Sequence, residues 1–356
     1  MRKLRIAMLA TPWEAVPPPR YGGTELVVAN LTEELTRRGH RVTLFATGDS
    51  TTSAKLVATF PRALYRDNIP WTDILRPMIH VFSCFRRAGQ FDLIHNHANY
   101  FGLLLSNLVA TPTVTTYHGD FATAEKIPEK LRVLQTFRRS PFVTISNRQK
   151  HLAKTKLNFV GTVYNGIDIK KFPFSAKAGS YLCWLGRITE KKGILESIAV
   201  ARKLNLPLKI GAKIDPVDQP FYQRRVKRLI DGKRIQYLGE LDHRGKIQLL
   251  KGALALLNPI TWEEPFGLVM PEAMACGTPV IAFQRGAAPE IIVEGKTGFL
   301  VNTTAEMAAA VKRISEISRE NCRARVVRYF SKEKMADGYE KIYHKILSEK
   351  RGRKMQ

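Results

Sequence analysis

Glu264-Pro265-Phe266-Gly267-Leu268-Val269-Met270-Pro271-Glu272 runs on into Ala273-Met274-Ala275-Cys276-Gly277-Thr278-Pro279-Val280. Two carboxylates stand eight positions apart around a Pro-Phe-Gly turn. Apolar helix patterning requires neither of them. Each ionised carboxylate accepts hydrogen bonds from two hydroxyls, so a polyhydroxylated ligand would use both. Two glutamates favoured by a helix macrodipole are the plain structural reading, but it leaves the turn unexplained. Gly267 permits close backbone approach. A helix starting there presents amides of Leu268, Val269 and Met270 to an anion. Pro271 fits a first turn, where its missing amide costs nothing.

The rest of the chain sets the frame for this segment. Its 356 residues suggest two domains of ordinary size, and an apolar content of 44% supports sizeable cores. Lys and Arg number 57 against 31 Asp and Glu, a formal charge of +26. Such charge favours a polyanionic environment, whether nucleic acid, anionic membrane or phosphorylated substrate. The basic residues are scattered, without zinc-ligand spacing or an RNP-type aromatic strand, so nucleic acid is disfavoured. Cys84, Cys183, Cys276 and Cys322 lie far apart and read as small core residues of a reducing compartment. The apolar run after Met1-Arg2-Lys3 stops at Pro12, too short for a signal peptide and better read as a first strand. No apolar run approaches the ~20 residues that span a bilayer. The expectation is a cytoplasmic protein, soluble or peripheral at the inner face of a membrane.

Short apolar runs alternate with helical patterns through both halves. Strands are expected at 6–10, 42–46, 91–95, 113–117, 142–146 and 162–164, with a helix from Gly23 to about Arg38. The pattern restarts with strands at 181–185, 208–211, 235–238, 255–259 and 280–283, and a helix from Gly193 to about Leu204. Alternation of this kind implies parallel sheets covered on both faces. The ranges read as an N-terminal domain 1–165, a linker 166–178, a second domain 179–330 and a C-terminal segment 331–356. In that last segment Met335, Tyr339, Ile342, Tyr343 and Ile346 fall at helical spacing.

Further candidates lie at strand ends. Gly186-Arg187-Ile188-Thr189-Glu190-Lys191-Lys192-Gly193 follows a strand and opens a helix, the usual anion site of a parallel sheet. Arg187 suits bidentate phosphate contact and Lys192 adds a point charge. Gly239-Glu240 also follows a strand. Gly286-Ala287-Ala288-Pro289-Glu290 and Gly295-Lys296-Thr297-Gly298-Phe299-Leu300 read as turns, the second without ligand contact. In the first half, Tyr21-Gly22-Gly23-Thr24-Glu25 lacks dinucleotide spacing but offers Gly22 and Gly23 at a helix N-terminus. Pro17-Pro18-Pro19-Arg20 before it reads as a stiff loop. Thr116-Tyr117-His118-Gly119-Asp120 and His95-Asn96-His97 end strands. His118 is read as a satisfied structural histidine or as a ligand-contacting residue, and Arg20, Tyr117 and His97 as acceptor contacts. The two histidines at 95 and 97 suggest no metal site, since no third ligand accompanies them. Residues 79–87 and 126–139 combine apolar and basic side chains, as ordinary surface helices or as helices lying on anionic lipid.

Taken together, in order from Gly22 to Glu290, these motifs resemble the retaining GT-B glycosyltransferases of family 4 (glycosyl transferases group 1). The resemblance implies two Rossmann-like doubly wound domains facing a cleft, with a C-terminal helix crossing back to the first. It implies transfer of a sugar from a nucleoside diphosphate sugar, UDP-sugar or GDP-mannose, to a hydroxyl of a glycan, lipid or small-molecule acceptor. Glu264 would then hold the sugar hydroxyls and Glu272 the ribose hydroxyls. Arg187 and Lys192 would hold the diphosphate. Amides of Phe266, Gly267, Leu268 and Val269 would touch sugar or phosphate, Gly22 and Gly23 would approach the pyrophosphate, and His118 would lie near the anomeric carbon. The family implies same-face attack with the leaving phosphate as base. No Asp-x-Asp motif stands out, so no metal and no cofactor beyond the sugar nucleotide is expected. The rival readings are a GT-B nucleotide-sugar epimerase and a non-catalytic basic binder of anions or nucleic acid on this scaffold.

Overall fold

The computed structural model describes residues 2–355, with side chains through 350; Met1 and Gln356, the outer ends of the expected domain ranges, lie outside the described residues. The chain forms two compact units, one of residues 1–166 with 332–356 and one of residues 167–331.

The first unit is built on seven strands: β1 Arg5–Leu9, β2 Arg41–Ala46, β3 Lys55–Ala58, β4 Leu93–Asn96, β5 Thr113–Thr116, β6 Phe142–Thr144 and β7 Phe159–Thr162. Their order is β3-β2-β1-β4-β5-β6-β7, with every pairing parallel. The central strands β4 and β5 are buried at every residue, as parallel strands covered on both faces must be. That burial extends to His95 and Asn96, two polar residues in a core strand. β7 begins at Phe159, opposite Phe142 of β6, earlier than the 162–164 expected from the sequence. β3 was not expected at all.

The terminal helix Lys332–Met355 belongs to this first unit. Met335, Tyr339, Ile342, Tyr343 and Ile346, the stripe at helical spacing, are all buried. Arg38, just after the helix Gly23–Arg37, donates from Nη1 to Asp337 at 2.8 Å and to Glu340 at 2.6 Å. His40 Nε2 lies 2.8 Å from the other oxygen of Glu340. The segment therefore returns to the first unit, as the fold resemblance implied.

The second unit holds six strands: β8 Tyr181–Arg187, β9 Leu208–Lys213, β10 Ile235–Tyr237, β11 Ala253–Asn258, β12 Val280–Phe283 and β13 Gly298–Val301. Their order is β10-β9-β8-β11-β12-β13, again all parallel. β13 occupies the stretch read from the sequence as a turn. Residues 167–178, read as linker, are packed on this unit. Ile167 N donates to Phe330 O at 2.9 Å, Ser175 N donates to Cys276 O at 3.1 Å, and Phe172 is buried. Among the described residues no helix is long and apolar enough to cross a membrane.

Candidate functional site

Both sheets reverse their strand order once, between β1 and β4 in the first unit and between β8 and β11 in the second. Ligands of open parallel sheets bind outside the carboxyl ends of the strands at such a point. In the second unit β8 ends at Arg187 and leads to Lys192, while β11 ends at Asn258 and leads to Glu264. The two motifs that sequence reading placed 72 positions apart therefore leave neighbouring strands. Lys192 Nζ donates to Glu264 Oε2 at 2.5 Å.

Backbone contacts fix this pair. Gly193 has φ +73°, and a Cβ there would lie 2.0 Å from Pro259 O, so the lysine loop touches the backbone after β11. Thr261 N donates to Lys191 O at 3.0 Å, and Trp184 Nε1 donates to Lys192 O at 3.2 Å. Glu264 is braced from a third segment. Ala287 N donates to Glu264 O at 3.0 Å, and Gly286 N donates to Glu263 Oε2 at 3.0 Å. Gly286 has φ +55°, and a Cβ there would come within 2.3 Å of Glu264 O. The Gly286 turn, one of the two turns read from the sequence, sets the backbone position of the first glutamate.

Arg187 points the other way along the strand ends. Its Nη1 donates to Asp215 Oδ2 at 3.0 Å, and its Nε stands 3.3 Å from Asp218 Oδ2. The second approach is a charge contact without hydrogen-bond alignment, since neither atom counts a hydrogen-bond partner. Burial raises the Asp218 carboxyl above its ordinary value, against the opposing pull of Arg187. Asp215 and Asp218 follow β9, and nothing in their local sequence signals this role.

Glu272 is buried, and Lys246 Nζ donates to its Oε1 at 2.5 Å. Lys246 comes from the helix His243–Lys251 and was not anticipated. Phe266 packs its ring on Phe330 at 5.9 Å between centroids and is buried. Its side chain is core, so only its backbone is available to a ligand. Gly267 takes φ +88° as the turn requires. Met270 N donates to Gly267 O at 3.1 Å, which removes one of the three amides expected to face an anion. Trp262 lies beside the pair, its ring centroid 5.6 Å from Lys192 Nζ. Its Nε1 is buried without a hydrogen-bond partner among the described residues, an indole donor available to a ligand.

In the first unit the loop after β1 reaches Gly22, which precedes the helix Gly23–Arg37. A Cβ on Gly22 would meet Pro18 Cβ at 2.6 Å, so the proline run dictates glycine here. Arg20 is exposed. β4 leads to His97 and β5 to Tyr117 and His118. Tyr117 is buried; its hydroxyl lies 2.6 Å from that of Tyr100 and its ring packs on Phe121. His97 is wholly buried, with Nδ1 2.8 Å from His118 Nε2 and Nε2 3.3 Å from His95 Nδ1. Both side chains, expected from the sequence to contact an acceptor, are thus buried with their polar atoms hydrogen-bonded inside the fold. Asp120 caps the helix Phe121–Ala124 through the amides of Ala122 and Thr123. Gln149 Nε2 donates to Tyr117 O at 2.8 Å and Gly119 O at 2.6 Å, which fixes the loop on either side of His118. Only His118 of the three histidines keeps partial exposure. Burial holds its pKa down at about 4, and holds His95 and His97 well below the ordinary value. All three rings are neutral at pH 7. Among the described residues no group of three or more His, Cys, Asp or Glu is arranged to hold a metal.

Two parallel-sheet α/β units, each with polar residues gathered at its strand-order reversal, define the GT-B architecture. The chain belongs to the glycosyltransferases of group 1: the Glycosyltransferase Family 4 model matches residues 21–171 and the Glycosyl transferases group 1 model residues 167–334. It is 25% identical over 382 residues to N-acetyl-alpha-D-glucosaminyl L-malate synthase of Bacillus anthracis, covering 95% of this chain and 97% of that one. It is 28% identical over 326 residues to phosphatidyl-myo-inositol mannosyltransferase of Mycobacterium tuberculosis, covering 84% and 82%. In fold it resembles sucrose-phosphate synthase from Thermosynechococcus elongatus, with TM-score 0.80, 21% identity and coverage of 98% and 100%. It also resembles Anabaena HepE in complex with UDP-glucose, with TM-score 0.72, 20% identity and coverage of 97% and 100%.

Proposed function

We propose that the chain transfers a sugar, with retention at the anomeric carbon, from a nucleoside diphosphate sugar to an acceptor hydroxyl in glycan, glycolipid or polysaccharide synthesis. The observation that carries this reading is the Lys192–Glu264 pair at the reversal point of the second sheet, with Arg187 at the end of the adjoining strand. One group is cationic, for a departing diphosphate. The other is a carboxylate, for sugar hydroxyls. Arg187 and Lys192 offset charge as it grows on the leaving group. Glu264 orients the sugar, Glu272 the ribose, and the backbone of Phe266–Val269 lines the sugar or phosphate. His118 donates a hydrogen bond to the transferred sugar, the Gly22-Gly23 amides favour the pyrophosphate, and Arg20 meets the acceptor. The leaving phosphate takes the acceptor proton, so no enzyme nucleophile is needed and Glu264 acts through binding and charge. The donor is a UDP-sugar or GDP-mannose; a solved neighbour holding UDP-glucose supports the first. The reaction needs no metal and no cofactor beyond the donor.

Thermal unfolding with UDP, GDP, ADP and their sugars tests the donor half. A ligand at about 100 times its Kd stabilises the native state by about 2.7 kcal/mol and raises Tm accordingly. One nucleotide series should raise Tm clearly above the others, and the product from the matching sugar nucleotide should keep the donor's anomeric configuration by NMR. Absence of any nucleotide shift, or an inverted product, defeats the reading.

The same protein is proposed to meet an anionic membrane surface. Of the two basic amphipathic stretches, the helix Pro128–Thr136 turns Leu134 into the core and is an ordinary surface helix. The helix Leu75–Phe85 instead exposes Leu75 (70%), Ile79 (46%) and Phe82 (58%) along one line. Trp71 and Ile74 stand exposed before it, and Arg86 continues the line one turn on. Apolar residues beside cations are the pattern of an interfacial helix. Sedimentation with phosphatidylglycerol vesicles should carry down the protein, and Leu75→Glu with Phe82→Glu should abolish it. Equal recovery with neutral vesicles defeats the idea.

A further inference from the structure

The two carboxylate oxygens of the buried Glu272 are in different situations. Oε1 accepts from Lys246 Nζ at 2.5 Å. Oε2 has no hydrogen-bond partner among the described residues, yet it is not one of the atoms sealed from solvent. Buried polar atoms are normally paired, so a carboxylate oxygen left open at such a position is an acceptor for a ligand. Lys246 is only partly used as well. Its ammonium carries three N–H donors. One serves Oε1, and the buried ring of Phe172, its centroid 5.6 Å from Nζ, faces the group from another side. Among the described residues no second acceptor lies within hydrogen-bond reach of Nζ. The pair therefore offers an open acceptor beside an open donor.

Holding two helices together does not account for this arrangement. Lys246 stands one turn into the helix His243–Lys251, and Glu272 lies in the helix Val269–Ala275. The first helix is already fixed at both ends. Asp242 accepts from Gly245 N at 2.7 Å, Thr278 donates to Leu250 O at 2.6 Å, and Leu249 and Leu250 are buried. Taking an ammonium and a carboxylate out of water offsets much of their attraction, and an apolar pair of the same volume would pack at least as well. The same device recurs eight positions earlier. Lys192 takes Oε2 of Glu264 and leaves Oε1 without a partner among the described residues.

Two hydroxyls on neighbouring carbons match an acceptor and a donor set side by side, because each hydroxyl is one donor and two acceptor lone pairs. One donates to Glu272 Oε2 while the other accepts from Lys246 Nζ, and both hydrogen bonds are charge-assisted. A lone carboxylate would instead require both hydroxyls to donate. We infer that Lys246 is a specificity-determining residue that completes a diol site with Glu272, so that the 2′- and 3′-hydroxyls of the donor's ribose are read by two different groups. The inference rests on the proposal that Glu272 meets the ribose; the open acceptor and donor do not.

Calorimetric titration of the full chain at pH 7 with UDP, GDP and ADP, and with the 2′-deoxy and 3′-deoxy forms of whichever binds, tests it. In the unaltered protein each deletion should weaken binding about 10-fold or more, as for a hydrogen bond to a charged group. Lys246→Met should abolish one of these two preferences and retain the other. Lys246→Gln, shorter and neutral but still polar, should show the same loss, and it serves if Lys246→Met does not fold. A residue that only held Glu272 in place would lose both preferences together, and that result overturns the inference. Retention of both preferences overturns it too, as does an unaltered protein indifferent to either hydroxyl. If none of the nucleotides binds, the donor reading itself is rejected and the diol site with it; binding with the wrong hydroxyl pattern rejects only the role of Lys246.

Discussion

Lys192→Ala should lower kcat by about 10³, Glu264→Ala by a similar factor, and the double variant by hardly more than either. The magnitude follows from the loss of one preorganised charge partner at a developing anion, about 2.7–4 kcal/mol of transition-state stabilisation. The lack of additivity follows from geometry. Lys192 Nζ and Glu264 Oε2 are 2.5 Å apart, and each side chain keeps less than a fifth of its exposure, so each holds the other in place. With the lysine gone, the glutamate stands uncompensated where a diphosphate must lie, and repels it. With the glutamate gone, the lysine loses the partner that fixes its long stem. Groups acting as one unit lose most of their function at the first deletion. Folding should survive, because a partly exposed pair contributes on the order of 1 kcal/mol. Steady-state kinetics on the two single variants and the double variant, with Tm for each, checks the prediction. Turnover near the unaltered level in both single variants would remove the pair from the site, and multiplicative losses would show that the two act independently.

How much of this site could be read from sequence depended on the range of the signal. Arg187, Lys192 and Glu264 stand out because glycine, charge and a strand end coincide locally. The strands carrying them are legible for the same reason: β8 and β11 are apolar runs that only a covered parallel sheet accommodates. β3 was missed because Lys55–Ala58 is a half-exposed edge strand with no apolar alternation. β13 was missed because two glycines disguised it as a turn. Periodicity correctly assigned the buried stripe of the terminal helix, yet a stripe reports a face and not a partner. Nothing in it says that the Tyr343 hydroxyl meets His95, 248 positions away. Asp215, Asp218 and Lys246 escaped for that reason too: each is an ordinary charged residue until the fold brings it to Arg187 or Glu272. His97 and Tyr117 show the opposite limit, since a polar residue at a strand end reads as a ligand contact whether or not the core has also taken its polar atoms, as it has here.

The largest effect on stability should come from Arg319, a residue without any signature in the sequence. It opens the helix Arg319–Tyr329, and its side chain is buried. Its Nε donates to Ser175 O at 2.8 Å, Nη1 to Ala253 O at 3.1 Å, and Nη2 to Lys251 O at 3.2 Å and to Thr278 Oγ1 at 2.8 Å. One planar group thus ties the stretch before β8, the turn into β11 and the turn into β12, the strands next to the reversal point. Burial pulls its pKa below the ordinary arginine value, so the charge is held at a cost that these contacts must exceed. Arg319→Met keeps the apolar stem and removes the fork. The buried Ala253 O and Thr278 Oγ1 then each lose a donor, at about 1–3 kcal/mol for each acceptor left buried and unpaired, and the part-buried Ser175 O and Lys251 O lose theirs at a smaller cost because water reaches them. The relieved desolvation of the guanidinium returns part of that. A net loss of about 3–5 kcal/mol is expected, or about 10 °C in the Tm of a unit this size. Arg319→Lys, which can satisfy only some of the three directions, should fall between. Urea unfolding of the three proteins, followed by circular dichroism, reads the difference as a shift of midpoint at constant slope. A midpoint for Arg319→Met within about 1 kcal/mol of the unaltered chain would mean that water replaces the fork, and that the turns around β11 and β12 are held by their strands alone.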